Sequence, residues 1–461
     1  MTIWRPDPAL LRRPAYLSLA DQICRAIQDG ILTNGMQLPT HRRMADDLHL
    51  SVQTVSRAYE ELGRRGLIVG EIGRGSFVNM PRREMKPPYL PDRLGEVIDL
   101  SILKPVCEEM HVERLKGALT WLANNLPDTA AISFRPNGIF ASHMGAASAW
   151  LRQCGLEVSG QNVLITNGAT GALTVALMSV APPGSMVACE ALTHHTLTPM
   201  ASYHAYTLNA LAIDDQGLIP DALDEACRQG AIRAVFLQPS GVNPMATVMS
   251  EERRRSIAEV ARRHDIAIIE NDVLGPLIEN RPAPIAAFAP ERTLYVTSFT
   301  KVALPGLRIG YLVVPDRFVA AASNRHLVSN WMATPMVAEI ARHWVEDGTA
   351  MELVRWQRGA LARRHTIVEE MLEGVDFRTN PQALHVWLPL DEARTEEGFV
   401  AQARLMGVAI APGSAFHAGG QPHPPATRIS IGSTSEGELR SGLGVVARLL
   451  RGEQEIMLPA I

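Results

Sequence analysis

The segment from Tyr295 to Tyr311, YVTSFTKVALPGLRIGY, limits what this chain can fold into more than any other stretch. It contains Lys301, one of only four lysines in a chain with 40 arginines, and no other lysine follows Lys116. Lysine differs from arginine because burial lowers its pKa, and the neutral amine can then form a Schiff base with an aldehyde. The apolar run before Lys301 predicts a strand, and Pro305-Gly306 predicts a turn. We therefore expect Lys301 to be a buried reactive amine rather than a solvated surface cation.

Two polar side chains flank this lysine, Ser298 three residues before it and Arg308 seven residues after it. A hydroxyl and a guanidinium beside an amine suit an aldehyde cofactor that carries a phosphate. The pattern S-F-T-K-x-x-x-P-G-x-R-x-G resembles the lysine segment of fold-type I pyridoxal 5'-phosphate (PLP) enzymes, the aspartate aminotransferase family. The resemblance implies that Lys301 forms the internal aldimine with PLP, and that Ser298 and Arg308 hold the phosphate.

Length and composition indicate a soluble protein of several domains. A chain of 461 residues is too long for one ordinary core, and 46% hydrophobic with 20% charged residues is typical of a globular protein. No apolar run reaches the roughly 18 residues of a membrane span, and Arg5-Pro6-Asp7 interrupts any signal peptide. Five scattered cysteines without a C-x-x-C pair favour reduced thiols in the cytoplasm, with neither a disulfide framework nor a zinc or other metal site.

The N-terminal part of the chain is basic, whereas the rest is acidic. Residues 1–86 contain 13 Lys and Arg against 9 Asp and Glu, a net charge of +4, and the remainder has a net charge of −8. Apolar periodicity predicts a helix from Tyr16 to Ile31, a second short helix, and a third that Ser51 caps and that turns Val52 inward. Two short strands around Gly73-Arg74-Gly75 complete a winged helix-turn-helix, with a three-helix protein-interaction module as the alternative.

A winged helix-turn-helix has a defined DNA-contacting surface. The polar residues at the start of the third helix would face the major groove, Arg42 would meet phosphate, and Arg74 on the wing would enter the minor groove. Residues 35–78 resemble the GntR-type winged helix through G-x-x-L-P-x-x-R-x-x-A-x-x-L, S-x-x-T-V-x-x-A-Y-x-x-L and G-x-G-x-x-V. The predicted DNA-binding residues are Arg42, Ser51, Gln53, Thr54, Arg57 and Arg74.

Residues 79–95 are rich in proline and mixed in charge, as in a semi-rigid linker. We therefore predict a winged-helix DNA-binding domain at residues 1–78 and an aminotransferase-like PLP-binding domain at residues 96–461. Strands and helices alternate in this body, which predicts a large α/β part with a mainly parallel sheet and a smaller α+β part at the C-terminus. The turn Asn167–Gly171 (NGATG) opens a helix whose free N–H groups suit a phosphate. The resemblance makes Ala169 and Thr170 the contacts.

Three further side chains correspond to family landmarks. His194 lies where the family stacks an aromatic ring on the pyridine ring, although a surface histidine pair is the alternative. Asn243, from N-P-M-A in place of N-P-T-G, would bond the phenolic oxygen of PLP, or else be an ordinary turn residue. Arg428, between apolar residues of a strand, corresponds to the arginine that binds a substrate carboxylate bidentately, with a structural ion pair as the alternative.

The segment Glu270–Leu274 (ENDVL) departs from the family. The D-x-x-Y motif supplies a carboxylate to the pyridine nitrogen and a phenol to the phenolic oxygen, but the spacing places Asn271 and Leu274 there. Asp272 is one residue away and would substitute if the backbone bulges. A carboxylate keeps the ring nitrogen protonated, which makes the ring an electron sink, and an amide does this less well. We therefore expect weak or absent transamination from a vestigial aminotransferase domain.

A GntR-type winged helix fused to an aminotransferase-like body resembles the MocR subfamily of bacterial transcription regulators. The resemblance implies a head-to-tail homodimer that binds PLP in the body and operator DNA through the winged helices, and that responds to PLP or an amino-compound effector. An active aminotransferase with a fused DNA-binding domain is the alternative. A DNA-binding scaffold whose pocket no longer takes PLP is a third possibility.

Overall fold

The computed structural model describes residues 4–28, 31–32, 35–64, 67–71, 75–78, 97–132, 141–158, 162–391, 393–419 and 423–452. The chain divides into two compact units, Met1–Lys86 and Pro87–Ile461. The predicted linker at residues 79–95 and Arg74 lie outside the described residues. Among the helices in the described ranges, none is both long enough and apolar enough to cross a membrane.

The first unit is built from three helices and a β-hairpin: α1 (Ala15–Gln28), α2 (His41–Leu48), α3 (Val52–Arg64), β1 (Ile68–Glu71) and β2 (Gly75–Val78). The two strands are antiparallel, as a wing requires. The Ser51 hydroxyl accepts a hydrogen bond from the Thr54 amide at 3.1 Å, which caps α3 as predicted. The unit has its own core, in which Leu19, Ile23, Val55, Tyr59 and Leu62 are buried.

Two apolar predictions in this unit are wrong. Val52 is 45% exposed, because it is the first residue of α3 and precedes the turn that packs on α1. Ile31 is 52% exposed, because α1 ends at Gln28 and the chain has left the helix by residue 31.

The second unit alternates strands and helices along its length. Its described helices are α4 (Glu109–Asn125), α5 (Asp128–Ile132), α6 (Met144–Gln153), α7 (Gly168–Val180), α8 (Leu197–Tyr203), α9 (Pro220–Gln229), α10 (Glu251–Arg263), α11 (Ile285–Phe288), α12 (Val319–Asn330), α13 (Pro335–Glu346), α14 (Thr349–Met371), α15 (Glu396–Leu405) and α16 (Glu436–Arg451). Short 3-10 helices lie at Pro8–Leu10 in the first unit and, in the second, at Ala141–His143, Gly275–Leu277, Pro305–Leu307, Asp316–Phe318 and Gly413–Phe416.

The described strands of this unit are β3 (Ile98–Asp99), β4 (Val163–Thr166), β5 (Met186–Glu190), β6 (Thr207–Leu211), β7 (Ile213–Asp214), β8 (Gly217–Leu218), β9 (Ile232–Leu237), β10 (Ala267–Asn271), β11 (Thr293–Ser298), β12 (Gly310–Val313), β13 (His385–Pro389), β14 (Val408–Ala409), β15 (Ala411–Pro412) and β16 (Ala426–Ser430).

Seven strands form one mixed sheet in the order β4-β12-β11-β10-β9-β5-β6. Strand β12 is antiparallel to both neighbours, and the pairs among β11, β10, β9, β5 and β6 are parallel. Apolar clusters cover the sheet on both faces, which explains why its central strands are nearly continuous apolar runs. Because parallel strands end at the same edge, the residues that follow β9, β10 and β11 meet there, and this edge is where α/β folds bind ligands.

A smaller sheet of β13, β16 and β15 is antiparallel, and β14 pairs in parallel with β3 near the start of the unit. Helices α14 and α16 pack on each other beside it. Within this sheet Arg428 of β16 pairs with Trp387 of β13 and with Ala411 of β15. The observed architecture confirms a winged helix-turn-helix together with a fold-type I body that has a smaller C-terminal α+β part.

Candidate functional site

Lys301 lies three residues after the end of β11 and is mostly buried, and its Nζ donates a hydrogen bond to the Leu103 carbonyl. Burial, together with the neighbouring Arg428 and Arg308, lowers the pKa of Lys301 to about 8. A cation close to two other cations creates a local excess of positive charge, which favours anionic ligands. The structure thus places a low-pKa amine at the predicted edge of the sheet.

The N-terminus of α7 lies against Arg308. Gly168 opens this helix with φ +75°, and a Cβ at this position would lie 3.1 Å from the Arg308 guanidinium carbon. Ala169 is half-buried and Thr170 is exposed in the first turn, where backbone N–H groups have no partner within the helix. Arg308 itself is exposed in the single chain. A guanidinium beside free helical N–H groups is a donor set that suits a phosphate.

Several buried polar atoms near this edge lack a hydrogen-bond partner within the described part of the chain. They are Ser298 Oγ, Thr300 Oγ1, Asn271 Oδ1 and Asn243 Nδ2. Buried polar groups are nearly always satisfied in native proteins, so a cluster of unsatisfied ones indicates a place for a ligand. Hydroxyl, amide, amine and guanidinium groups together fit a phosphorylated aromatic aldehyde such as PLP.

Arg428 is buried on β16 and reaches across to other elements. One guanidinium nitrogen donates to Asn243 Oδ1 at 3.2 Å, and another donates to the Ser101 carbonyl. The guanidinium also lies over the Phe416 ring, 4.9 Å from its centroid. Both of these acceptors are neutral, so a carboxylate would be a stronger partner for the guanidinium than either of them.

His194 and His195 stack on each other with ring centroids 4.5 Å apart. Burial, together with the nearby Lys301 and Arg428, lowers the pKa of His194 to about 3. The His194 Nδ1 lies 2.7 Å from the Thr196 hydroxyl. The ring is therefore neutral and close to both cations, rather than part of a solvated surface pair.

Asn271 and Asp272, the two alternatives for the pyridine nitrogen, lie in different environments. Asp272 accepts hydrogen bonds from the Tyr295 hydroxyl at 2.6 Å and from Arg281 at 2.9 Å, and its side chain is fully buried. The backbone does not bulge, since Asn271 keeps its register opposite Val296. Asp272 is therefore engaged in a buried ion pair with Arg281, whereas the Asn271 Oδ1 has no hydrogen-bond partner among the described residues.

Leu274, which stands where the family has a tyrosine, is buried in the apolar core. Sequence reasoning missed the Arg281 partner of Asp272 and the carbonyls of Ser101 and Leu103. A buried tyrosine within an apolar strand needs a hydrogen-bond partner, so Tyr295 was a signal for a polar neighbour. Nothing in the residue types marks the two carbonyls.

The candidate DNA interface lies on α2 and α3. Arg42, Ser51, Gln53 and Arg57 are exposed, and Thr54 is half-buried with its hydroxyl 2.8 Å from that of Ser51. The Arg57 guanidinium lies over the Tyr16 ring, 4.9 Å from its centroid. An exposed polar face at the start of the second helix of a helix-turn-helix is the surface that such domains present to the major groove.

These observations define a class: a winged helix joined to a fold-type I aminotransferase body. The model of aminotransferase class I and II matches residues 133–446, and that of bacterial regulatory proteins of the gntR family matches residues 15–78. The chain belongs to the class I and II aminotransferase family, and with its gntR domain it is a MocR-type transcription regulator, which implies DNA as a partner.

The relatives support the same architecture. The chain is 26% identical over 457 residues to the HTH-type transcriptional regulator YdeF of Bacillus subtilis, covering 97% of this chain and 96% of that protein. It is 25% identical over 376 residues to the HTH-type pyridoxine biosynthesis transcriptional regulator PdxR of Corynebacterium glutamicum, covering 77% and 78%. The kynurenine aminotransferase of Pyrococcus horikoshii has a similar fold, with a TM-score of 0.71 at 21% identity over 78% of this chain and 92% of that chain.

Proposed function

We propose that this regulator binds PLP through Lys301 and uses PLP, alone or with an amino-compound effector, to control how its winged helices bind operator DNA. The observation that carries the proposal is the cationic group of Lys301, Arg308 and Arg428 beside unsatisfied buried polar atoms. Such a group is costly to maintain unless an anion neutralises it.

Each residue has a defined task in this proposal. PLP, when bound, supplies an aldehyde that a neutral amine can capture, and the low pKa of Lys301 keeps part of that amine neutral near pH 7. Ser298 and Arg308 hold the phosphate with the first N–H groups of α7, including those of Ala169 and Thr170. His194 stacks on the ring, Asn243 bonds its phenolic oxygen, and Asn271 faces its nitrogen.

Arg428 is the proposed reader of an effector carboxylate. Its guanidinium offers two parallel donors to a carboxylate. Because Arg428 lies near Lys301, the same site can accept the carboxylate and the amino group of one small molecule. This arrangement favours an amino acid or a related amino carboxylate as the effector class.

Regulation rather than turnover follows from the neutral side chains of Asn271 and Leu274. An amide does not hold the pyridine nitrogen protonated as a carboxylate does, so the ring is a poorer electron sink. The neighbouring carboxylate of Asp272 is engaged by Arg281 and Tyr295 and is not a substitute. We therefore propose binding of amino compounds with weak or absent transamination.

A homodimer is part of the proposal. Val112 and Leu119, one heptad apart on α4, are each 50% exposed, and Leu126 continues this stripe at 37%. An exposed apolar stripe on a helix marks a surface that a partner covers. Two winged helices in one dimer would then bind the two halves of an operator.

The test uses the full-length protein and three variants. Wild type incubated with PLP and reduced with borohydride should carry the cofactor on the peptide that contains Lys301, and Lys301→Ala should carry none. Lys301→Arg is the matched control, because it keeps the charge but cannot form the bond.

Arg42→Ala should keep PLP and lose affinity for operator DNA in an anisotropy titration. Attachment elsewhere, DNA binding that ignores PLP and amino carboxylates, or turnover at ordinary aminotransferase rates would contradict the proposal.

A further inference from the structure

The segment Ser101–Val106 lies between the small sheet and Lys301. Before it, the Leu100 amide donates to the Ala409 carbonyl at 2.8 Å, and the Leu100 carbonyl accepts from the Ser430 amide at 2.7 Å. Leu103 and Val106 are buried in the body's main apolar cluster, whereas Ile102 is 40% exposed. The segment is therefore anchored next to β16, the strand that carries Arg428.

Two carbonyl groups of this segment contact the two cations to which the proposed function assigns ligands. The Ser101 carbonyl accepts from Arg428, and the Leu103 carbonyl accepts from Lys301. Each cation thus has a neutral backbone carbonyl as a partner. A charged carboxylate binds a guanidinium about twice as strongly as a carbonyl does, and the Lys301 amine must be released before it can bond to an aldehyde.

Local contacts fix the conformation that presents these carbonyls. The Asp99 Oδ1 accepts hydrogen bonds from the Ser101 amide at 2.8 Å and from the Ser101 hydroxyl at 2.6 Å. Further on, the Lys104 carbonyl packs directly against Gly432, where a Cβ would lie 2.2 Å from the Lys104 oxygen. The turn that Asp99 forms just before the segment is therefore the contact that a side-chain substitution can loosen.

We propose that residues 101–103 are an internal ligand that occupies Arg428 and Lys301 in the free protein, and that an amino carboxylate and PLP displace it. This inference rests on the proposed function, since it assigns the same two cations to ligands. In chain order the segment follows the predicted linker at residues 79–95 and strand β3. The segment supplies the two-state element that coupling between effector and DNA requires, because each ligand favours the displaced state.

The first experiment weakens the internal ligand without touching either cation. Asp99→Ala removes the acceptor for Ser101, so PLP should bind about three- to tenfold more tightly, which is the effect of losing roughly one hydrogen bond from the competing state. Asp99→Asn keeps an Oδ1 acceptor and is the matched control, with an expected Kd within about twofold of wild type. An Asp99→Ala protein that is folded by circular dichroism and binds PLP no more tightly would overturn the proposal.

The second experiment follows the segment itself by hydrogen–deuterium exchange of the full-length protein. Peptides that cover residues 98–107 should exchange faster with PLP, and also with millimolar propionate as a simple carboxylate probe. Lys301→Ala should abolish only the PLP response, and Arg428→Gln only the propionate response. If PLP attaches to Lys301 while exchange in 98–107 is unchanged or slower, the internal ligand is refuted and the proposed function stands. If PLP does not attach, the proposed function fails. The propionate response then tests the internal ligand by itself: faster exchange in residues 98–107 supports it, and unchanged exchange refutes it.

Discussion

At the scale of single residues, the difference between Asn271 and its neighbour Asp272 decides what chemistry the site supports. Successive residues of a strand point to opposite faces, so one residue of register separates a ligand position from a structural one. Asp272 is held by Arg281 and Tyr295 on its side, whereas the Asn271 Oδ1 has no partner among the residues that the structure describes. In the proposed complex with PLP, an amide at this position would leave the pyridine nitrogen without a counter-charge.

Asn271→Asp should therefore increase transamination. The new carboxylate would stabilise a protonated ring nitrogen, and a gain of about tenfold or more in keto-acid formation corresponds to roughly 1.4 kcal/mol of barrier. The measurement is keto-acid production from a panel of amino donors, by mass spectrometry, with PLP saturating.

Asp272→Asn is the comparison for this prediction. It leaves Arg281 as an uncompensated buried charge and should destabilise the fold by about 3 kcal/mol, with no gain in keto-acid formation. Equal keto-acid formation in wild type and Asn271→Asp would show that the residue does not face the ring nitrogen.

The pH dependence of cofactor attachment tests the pKa of Lys301. Burial first, then Arg428 and Arg308, lower this pKa to about 8, so the amine is mainly protonated below pH 8 and mainly neutral above it. Only the neutral amine attacks an aldehyde. The rate of PLP attachment in stopped-flow absorbance should therefore rise about tenfold per pH unit up to about pH 8 and then level off.

Arg428→Gln provides the internal check on this profile. Removing a nearby cation raises the pKa of Lys301, so the plateau should begin at a higher pH than in wild type. A wild-type rate that continues to rise to pH 10 would mean that Lys301 behaves as a solvated lysine.

At the scale of elements, close approach between β11, β12 and α7 forms the proposed phosphate site. Gly310 opens β12 opposite Ser298, and a Cβ there would lie 2.9 Å from the Gly168 carbonyl carbon and 3.0 Å from the Thr297 oxygen. Both atoms belong to the backbone and cannot rotate away. The start of α7 therefore keeps its position only because residue 310 has no side chain.

Gly310→Ala should push α7 away from the strand end and weaken PLP binding by at least about tenfold, with a loss of stability of about 1–3 kcal/mol. Fluorescence titration with PLP and urea unfolding measure the two effects. Gly306→Ala, in the 3-10 helix that precedes β12, meets nothing within 4 Å and should change neither quantity. Wild-type PLP affinity in Gly310→Ala would contradict the placement of the phosphate at α7.

Much of this element-level arrangement was predictable from the sequence. The alternation of strands and helices in the body was predicted, and the turn Asn167–Gly171 marked the start of α7. The position of Lys301 followed from its rarity and its flanks. The Asp272–Arg281 pair was not predictable, because the contact depends on how a loop returns to the sheet. The carbonyls of Ser101 and Leu103 were beyond sequence reasoning, since every residue has one.

At the scale of the whole molecule, the apolar core of the first unit shares no residue with the apolar clusters of the second unit. The cluster of Leu19, Ile23, Val55, Tyr59 and their neighbours consists only of residues between Trp4 and Val78, and the other apolar clusters begin at Ile98. The two compact units differ in net charge as well. Any effect of a ligand in the body on DNA binding must therefore reach the winged helix without passing through a shared apolar core.

Separate cores predict two unfolding transitions in scanning calorimetry of the full-length protein. A ligand that binds only the native body raises the transition of the body by mass action, so PLP should raise one Tm by several degrees and leave the other unchanged. Ile23→Ala, which opens a cavity in the first unit, should lower only the Tm that PLP does not change. A single transition that responds to both PLP and Ile23→Ala would mean that the two units unfold together.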